Sequence, residues 1–312
     1  MTAFVVAGTA SGVGRTDRSP KPGLRGTRMI RLLALWLLCI SFPAFATRTL
    51  IDDLGRSVTV PDHPHRLVCL MPNLVDDVYA LGAGSDIVAV TDYTKYPPEA
   101  KAKPTVGLPL SPSLETIVSF HPDLVLASGD LNRADTVYEV QKLGIPVFTV
   151  TARGIDGIYK SIASIGRVLN REQEAARLVS TLREREATVR RRAAGKPVVS
   201  VFMPVWYDPI VTIGKDAYIT DAIEIAGGHS VTSDIAEEWP QVSLESVLAR
   251  APETLLLVRG SKMSIDAVRT RPGWVTMPAV KNNRIYYVDD RIESPSPVAF
   301  DALEDLAKQF HP

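Results

Sequence analysis

The sequence has few cysteines and no surplus of charge of either sign. Two cysteines, Cys39 and Cys69, in 312 residues are too few for a disulfide-stabilised scaffold. Lysine plus arginine and aspartate plus glutamate number 35 each, so the basic excess typical of nucleic-acid-binding proteins is missing. With 46% hydrophobic and 22% charged residues, the composition is that of a globular protein large enough for two lobes.

Catalytic and metal-binding motifs are missing as well. The sequence contains no G-x-S-x-G, no H-E-x-x-H and no cysteine-histidine pattern that would indicate an enzyme. A zinc or manganese receptor, or a metalloenzyme, needs several histidine and carboxylate ligands brought together from both lobes, and the histidines are poorly placed for that. These two classes stay open as weaker alternatives, and no cofactor is expected. The histidines are His63, His65, His121, His229 and His311.

No apolar run reaches the ~18–20 residues of a membrane-spanning helix. The N-terminal run Leu32–Ile40 is shorter, follows Arg28 and Arg31, and precedes an A-x-A site ending at Ala46. This order is typical of a secretory signal peptide, so residues 1–46 are expected to be removed and the soluble product to reach the periplasm. Because the residue before Cys39 is not small, lipid anchoring is not expected.

Residues 1–28 precede this signal. Residues 4–16 resemble the phosphate-binding loop of the dethiobiotin synthetase and cobyrinate synthase ATPases. However, Arg15 replaces the lysine that reaches the phosphate, and the proline-containing residues 17–23 cannot begin the required helix. We interpret Met29 as the physiological start, or residues 1–28 as an extended n-region of the signal peptide; in neither case is an ATPase function expected.

Two segments about 130 residues apart share one pattern. In residues 113–126 and 243–257, Ser-Leu-Glu is followed after six residues by proline and an acidic residue, and then by an apolar run. Each segment predicts a short helix ended by the proline and followed by a buried parallel strand. Earlier in each half, an apolar strand runs into a Met-Pro turn at Pro72 and at Pro204. The chain is therefore predicted to be an α/β protein of two similar lobes.

A long helical region separates the two halves. Isoleucines at helical spacing predict a connecting helix over residues 154–172, between a first lobe of residues 47–153 and a second lobe of residues 173–312. The highly charged stretch after Asn170 is interpreted as a surface helix. Because a helix joins the lobes, we expect them to hinge little.

Two facing α/β lobes predict one ligand cleft, because ligands of open α/β sheets bind beyond the carboxyl ends of the strands. The loops at those ends are rich in aromatic side chains, which suit a flat or bulky organic ligand. The candidate ligand-binding residues from these loops are Pro72, Asn73, Tyr93, Tyr96, Val205, Trp206, Tyr207 and Trp239.

Residues 53–61, 66–68 and 81–82, together with the Ser-Leu-Glu and Pro-Asp segments of residues 113–126, resemble the periplasmic substrate-binding proteins of iron-siderophore, haem and vitamin B12 importers. The resemblance covers nearly all of the chain after residue 46. Within that family, residues 93–99 and 239–250 are most similar to the vitamin B12-binding proteins. It implies two Rossmann-like lobes joined by a long helix, the class III fold, and a receptor, not an enzyme, that binds cobalamin or a related corrinoid for an ABC importer.

The resemblance also implies residue roles. Tyr93, Trp239 and Glu293 would line the corrinoid pocket, and Glu115 and Glu245 would dock on arginines of the permease dimer in the inner membrane. The repeat supports the second pair independently, since it puts one glutamate at the start of an equivalent helix in each lobe. Without residues 1–46 the chain has 29 basic and 34 acidic residues, a mildly acidic balance that suits a monomeric receptor of a basic membrane partner.

The chain also departs from the vitamin B12-binding pattern. Pro109 and Val205 stand where pocket aromatics are expected, and Ser294 stands where an arginine is expected. A ferric siderophore or haem is therefore kept as an alternative ligand of the same kind of receptor. Tyr93 could supply the axial oxygen that haem iron accepts.

Overall fold

Two four-stranded parallel sheets, one in each half of the chain, form the framework of this computed structural model. The structure describes Gly14 and residues 46–312, and residues 46–312 form one structural unit. Apart from Gly14 and Ala46, the predicted signal segment lies outside the described residues. Within the described part of the chain, no helix is both long enough and apolar enough to cross a membrane.

The first lobe alternates strands and helices. Its strands are β1 (Thr47–Ile51), β2 (Ser57–Pro61), β3 (Leu67–Cys69), β4 (Ile87–Ala89), β5 (Gly107–Leu108), β6 (Ser111–Pro112), β7 (Leu124–Ser128) and β8 (Val147–Val150). Its helices are α1 (Pro72–Ala80), α2 (Leu114–Ser119) and α3 (Ala134–Lys142). The parallel sheet has the strand order β4-β3-β7-β8, and β1 with β2 and β5 with β6 form antiparallel hairpins.

Two helices follow, α4 (Gly154–Val168) and α5 (Glu172–Ala193). In α4 the isoleucines Ile158, Ile162 and Ile165 are fully buried, as their helical spacing predicts. The chain leaves the helical conformation between the two helices, where Asn170 has φ +53°. Most of α5 faces solvent, because only Ala175, Leu182 and Val189 among its 22 residues are buried.

The second lobe has the same construction. Its strands are β9 (Val199–Phe202), β10 (Pro204–Tyr207), β11 (Ile210–Thr212), β12 (Gly228–Ser230), β13 (Thr254–Val258) and β14 (Ile285–Val288). Its helices are α6 (Tyr218–Ile225), α7 (Leu244–Ala249), α8 (Ile265–Thr270), α9 (Pro278–Lys281) and α10 (Ala299–Phe310). The parallel sheet has the strand order β12-β9-β13-β14, and β10 with β11 forms an antiparallel hairpin.

The two lobes repeat one topology. In each sheet the strand that comes second along the chain lies at one edge, followed by the first, third and fourth. The strands β7 and β13 are buried along their whole length, as parallel strands covered on both faces must be. Each is preceded by a six-residue helix and a residue with positive φ, His121 at +45° and Ala251 at +46°, directly before proline. The predicted α/β fold of two similar lobes is therefore confirmed.

The largest apolar cluster is continuous across both lobes. It includes Phe148 of the first sheet, Ile162 of α4, and Tyr218 and Phe300 of the second lobe. Two smaller clusters pack against the other faces of the sheets. A shared core of this kind favours small relative movements of the lobes.

Candidate functional site

A cavity of about 190 Å³ lies between the lobes, at the carboxyl ends of their strands. The segments that follow β3, β4 and β7 line it from the first lobe, and the segment that follows β14 lines it from the second. This is the position at which open α/β sheets bind ligands. The residues that were singled out from the sequence and that line the cavity are Pro72, Asn73, Tyr93, Tyr96 and Glu293.

Asp290 joins the two lobes at the cavity wall. Lys95 Nζ lies 2.7 Å from Asp290 Oδ2, and Tyr96 Oη donates a hydrogen bond of 2.7 Å to Asp290 Oδ1. Burial alone would raise the pKa of Asp290, but the bonds from Lys95 and Tyr96 outweigh it and lower that pKa. Burial and the bond to Asp290 raise the pKa of Tyr96 to about 12. The side chains of Lys95 and Tyr96 in the first lobe therefore both bind Asp290 in the second.

Asp76 makes a second link between the lobes. It is buried in α1, and its Oδ2 accepts hydrogen bonds of 2.6 Å from Ser294 Oγ and 2.8 Å from Ser296 Oγ. Burial raises the pKa of Asp76 to about 6, although the two serine bonds act in the opposite direction. Its neighbour Asp77 is also buried, and burial followed by the charge of Asp76 raises the pKa of Asp77.

Asn73 Oδ1 and Trp239 Nε1 are buried polar atoms without a hydrogen-bond partner among the described residues. Asn73 lines the cavity and is only 4% exposed. Trp239 does not line it directly, but its ring packs edge-on against Tyr218, 6.5 Å between centroids, and Tyr218 Oη donates to the carbonyl oxygen of Ile292. An unpaired buried polar group is costly, and of these two residues only Asn73 belongs to the cavity lining, where a ligand group can supply the missing partner.

Tyr93 and Glu293 stand on opposite lobes at the same cavity. Tyr93 lines the cavity and is 71% exposed, so its ring is available to a ligand. Surrounding protein partly desolvates the Glu293 carboxyl group and raises its pKa, while the charge of Lys95 acts in the opposite direction.

Three further predicted residues lie on the second lobe outside the cavity lining. Val205, Trp206 and Tyr207 belong to β10, directly after the carboxyl end of β9. Trp206 is 52% exposed and stacks nearly parallel to Tyr207, with 6.2 Å between the ring centroids. Trp206 Nε1 donates to the carbonyl oxygen of Asp208, which holds the ring over the hairpin.

Glu115 and Glu245 occupy equivalent positions in the two lobes. Each is exposed in the first turn of its helix, α2 or α7. The serine two residues earlier caps the helix in both cases: Ser113 Oγ accepts from the backbone nitrogen of Thr116, and Ser243 Oγ accepts from that of Ser246, both at 3.2 Å. Hydrogen bonds from its own backbone and from Ser243 lower the pKa of Glu245.

The next feature is the arrangement of possible metal ligands within residues 46–312. No group of three or more histidine, cysteine, aspartate or glutamate side chains is arranged to hold a metal ion in this part of the chain. Cys69 is buried in β3, as the sequence predicted, and burial followed by the charges of Asp77 and Asp76 raises the pKa of its thiol. A buried thiol of raised pKa is unreactive.

Sequence reasoning gave no ligand-binding role to four polar residues that line the cavity, because the pattern that they share is weak. Each lies a few residues beyond the carboxyl end of a parallel strand, where function is expected but where many polar residues occur. They are Asp76, Lys95, Asp290 and Ser294.

Comparison with known proteins agrees with this architecture. The profile of the family described as "Periplasmic binding protein" matches residues 67–292. An uncharacterised ABC transporter substrate-binding lipoprotein, YvrC of Bacillus subtilis, is 32% identical over 272 residues, which cover 85% of each chain. A vitamin B12-binding protein of Vibrio parahaemolyticus is 26% identical over 88% of this chain and 96% of its own. The solved apo structure of the periplasmic haem-binding protein RhuT from Roseiflexus superposes with a TM-score of 0.71, at 26% identity, over 79% of this chain and 98% of that one.

Proposed function

The chain belongs to the periplasmic binding protein family, whose members are the substrate-binding components of ABC importers, and we propose that its ligand is cobalamin or a related corrinoid. One observation carries the proposal. The cavity between the lobes is lined by Tyr93 and Glu293, two of the three positions at which the resemblance to vitamin B12-binding proteins puts pocket residues. The third, Trp239, packs on Tyr218 behind the segment that ends at Glu293.

The dimensions of the site suit a ligand that is only partly enclosed. Small-molecule pockets usually measure ~300–1,000 Å³, and this cavity is smaller. A corrinoid would insert part of its periphery into the cavity while its flat ring system covers the mouth. The exposed ring of Tyr93 is available there for apolar contact, and Trp206 and Tyr207, with Val205, offer further apolar surface on the second lobe.

Haem is the second candidate ligand. The similarity to the haem-binding protein RhuT favours it, and so does Tyr93, whose exposed phenol could act as an axial ligand. The charge of the cavity weighs against haem, because its lining has three carboxyl groups and its one basic residue, Lys95, is paired with Asp290, whereas the haem propionates need basic partners. Ferric siderophores that carry negative charge meet the same objection.

Delivery to the permease would use the two lobes symmetrically. Glu115 and Glu245 are exposed, lie in the first turns of equivalent helices, and are held by equivalent serine caps. Paired carboxylates of this kind suit paired arginines on a two-fold permease dimer. We propose that the receptor acts as a monomer in the periplasm and that residues 29–46 supply its signal peptide.

Calorimetric titration tests the ligand. Purified protein comprising residues 47–312 is titrated with cyanocobalamin and, in parallel, with haem and with a ferric hydroxamate. One cyanocobalamin per chain, bound more tightly than either iron compound, is the expected result. Tight binding of an iron compound with no binding of cyanocobalamin would replace the proposed ligand and leave the receptor family unchanged.

A further inference from the structure

The cavity lining has three carboxyl groups, those of Asp76, Asp290 and Glu293, and only one basic residue, Lys95. Asp290 already engages Tyr96 Oη and one N–H group of Lys95. Asp76 and Glu293 add carboxyl groups from opposite lobes, and Glu293 interacts with Lys95 only through its charge, without a hydrogen bond. A ligand group that enters must therefore supply N–H or O–H donors and should carry no negative charge.

Asn73 points independently to the same kind of ligand group. Its Oδ1 is an acceptor without a partner in the described part of the chain, and the residue is 96% buried at the cavity wall. Leaving such an acceptor unpaired costs free energy that a donor from the ligand would recover. A primary amide fits, because it donates two N–H groups that can reach an amide oxygen and a carboxylate together.

We propose that this cavity receives primary amide groups at the periphery of the ligand and thereby selects amide-bearing corrinoids over tetrapyrroles that carry carboxylates. The inference rests on the proposed function. A site built around acceptors rejects an analogue without the matching donors far more strongly than an apolar pocket rejects a change of size. A carboxylate in the same place also meets like charge in a partly desolvated site, where repulsion is strong.

A matched pair of ligands tests the inference. Dicyanocobyrinic acid, whose peripheral side chains end in carboxylates, and its fully amidated counterpart share one ring system and one metal. Both are titrated into residues 47–312 at neutral pH, with cyanocobalamin as the reference. The amidated compound is expected to bind at least about tenfold more tightly than the acid, a difference of about 1.4 kcal/mol.

Affinities for the acid and the amide that agree within roughly threefold would overturn the inference and leave the proposed function standing. Binding of cyanocobalamin without binding of either compound would overturn it too, because recognition would then lie outside the peripheral amides. Failure of all three corrinoids to bind would overturn both the inference and the proposed ligand.

A pair of variants tests whether the difference in affinity between the acid and the amide arises in the cavity. Glu293→Gln keeps the size of the side chain and removes its charge, so binding of the acid should improve severalfold while binding of the amide changes less. Glu238→Gln is the control, because burial also raises the pKa of Glu238 but this residue does not line the cavity. Equal changes in the two variants, or no change in Glu293→Gln, would contradict the assignment to this site.

Discussion

Asp76 and Ser294, 218 residues apart in the chain, are joined by a hydrogen bond of 2.6 Å that links the first lobe to the second. Ser296 donates to the same carboxylate oxygen. The structure thus positions a buried carboxyl group of raised pKa at the point where the lobes meet beneath the cavity. That arrangement couples the stability of the protein to pH.

The Asp76→Asn variant should reveal this coupling. The pKa of Asp76 is about 6 in the folded protein, whereas the ordinary value for an aspartate, expected in the unfolded chain, is 3.8. Between these two pH values the folded state therefore keeps a proton that the unfolded state has released. Wild-type stability should therefore fall, relative to the variant, as the pH rises from about 4 to about 6, by up to about 3 kcal/mol. Denaturant unfolding of both proteins across this pH range measures the difference.

Asp135→Asn is the matched control for that experiment. Asp135 is exposed, and its hydrogen bond with Arg133 lowers its pKa to about 2. The Asp135→Asn variant should therefore not become more stable than wild type as the pH rises. A pH-independent difference between wild type and Asp76→Asn would show that Asp76 ionises normally in the folded protein.

Replacing Glu115 and Glu245 by alanine should separate ligand binding from transport. Both side chains are exposed and outside the cavity lining, so ligand affinity should stay within experimental error while uptake by cells falls strongly. Glu172→Ala is the control, since Glu172 is also exposed in the first turn of a helix but lies outside the repeated pair. Loss of ligand affinity in the double variant would put these residues in the binding site instead.

The serines that cap α2 and α7 should also be needed for full uptake. Ser113→Ala and Ser243→Ala each remove a bond to the backbone nitrogen of the third helical residue and should cost about 1 kcal/mol of unfolding free energy. The Ser264→Ala variant removes an equivalent cap from α8 and should cost a similar amount. Only the first two should also weaken uptake, because they cap the helices that carry Glu115 and Glu245, the proposed docking residues. Equal uptake by all three variants would contradict that role.

A variant of Trp239 tests whether its unpaired indole N–H donates a hydrogen bond to the ligand. Trp239→Phe keeps an aromatic ring but removes Nε1, which has no partner in the described residues. If the ligand accepts this hydrogen, affinity should fall about fivefold, the equivalent of a bond worth about 1 kcal/mol. Trp274→Phe loses the same group from the buried core of the second lobe and should leave affinity unchanged. Unchanged affinity in Trp239→Phe would remove this residue from the proposed pocket.

Local patterns predicted the fold well because the physics behind them is local. Buried parallel strands are continuous apolar runs, as in β7 and β13, and a serine followed later by a proline limits α2 and α7 to six residues. The same patterns, repeated about 130 residues apart, predicted the two lobes.

The cavity was only partly predictable because its contacts join distant parts of the chain. Tyr93 was predicted as an aromatic residue of a strand-end loop and Glu293 through resemblance, whereas the bonds from Ser294 to Asp76 and from Lys95 to Asp290 connect residues about 200 positions apart. No periodicity in the sequence encodes which acidic residue of one lobe meets which donor of the other. Likewise, an aromatic residue in a loop, such as Trp206, can lie over its own hairpin instead of lining the cavity.

Competition between two ligands decides whether this receptor prefers a corrinoid to an iron tetrapyrrole. Protein comprising residues 47–312 is mixed with equimolar cyanocobalamin and haem, separated from free ligand on a desalting column, and examined by its visible absorption spectrum. The expected result is a protein fraction that carries one cyanocobalamin per chain and no haem. A fraction that carries haem and no cyanocobalamin would contradict it.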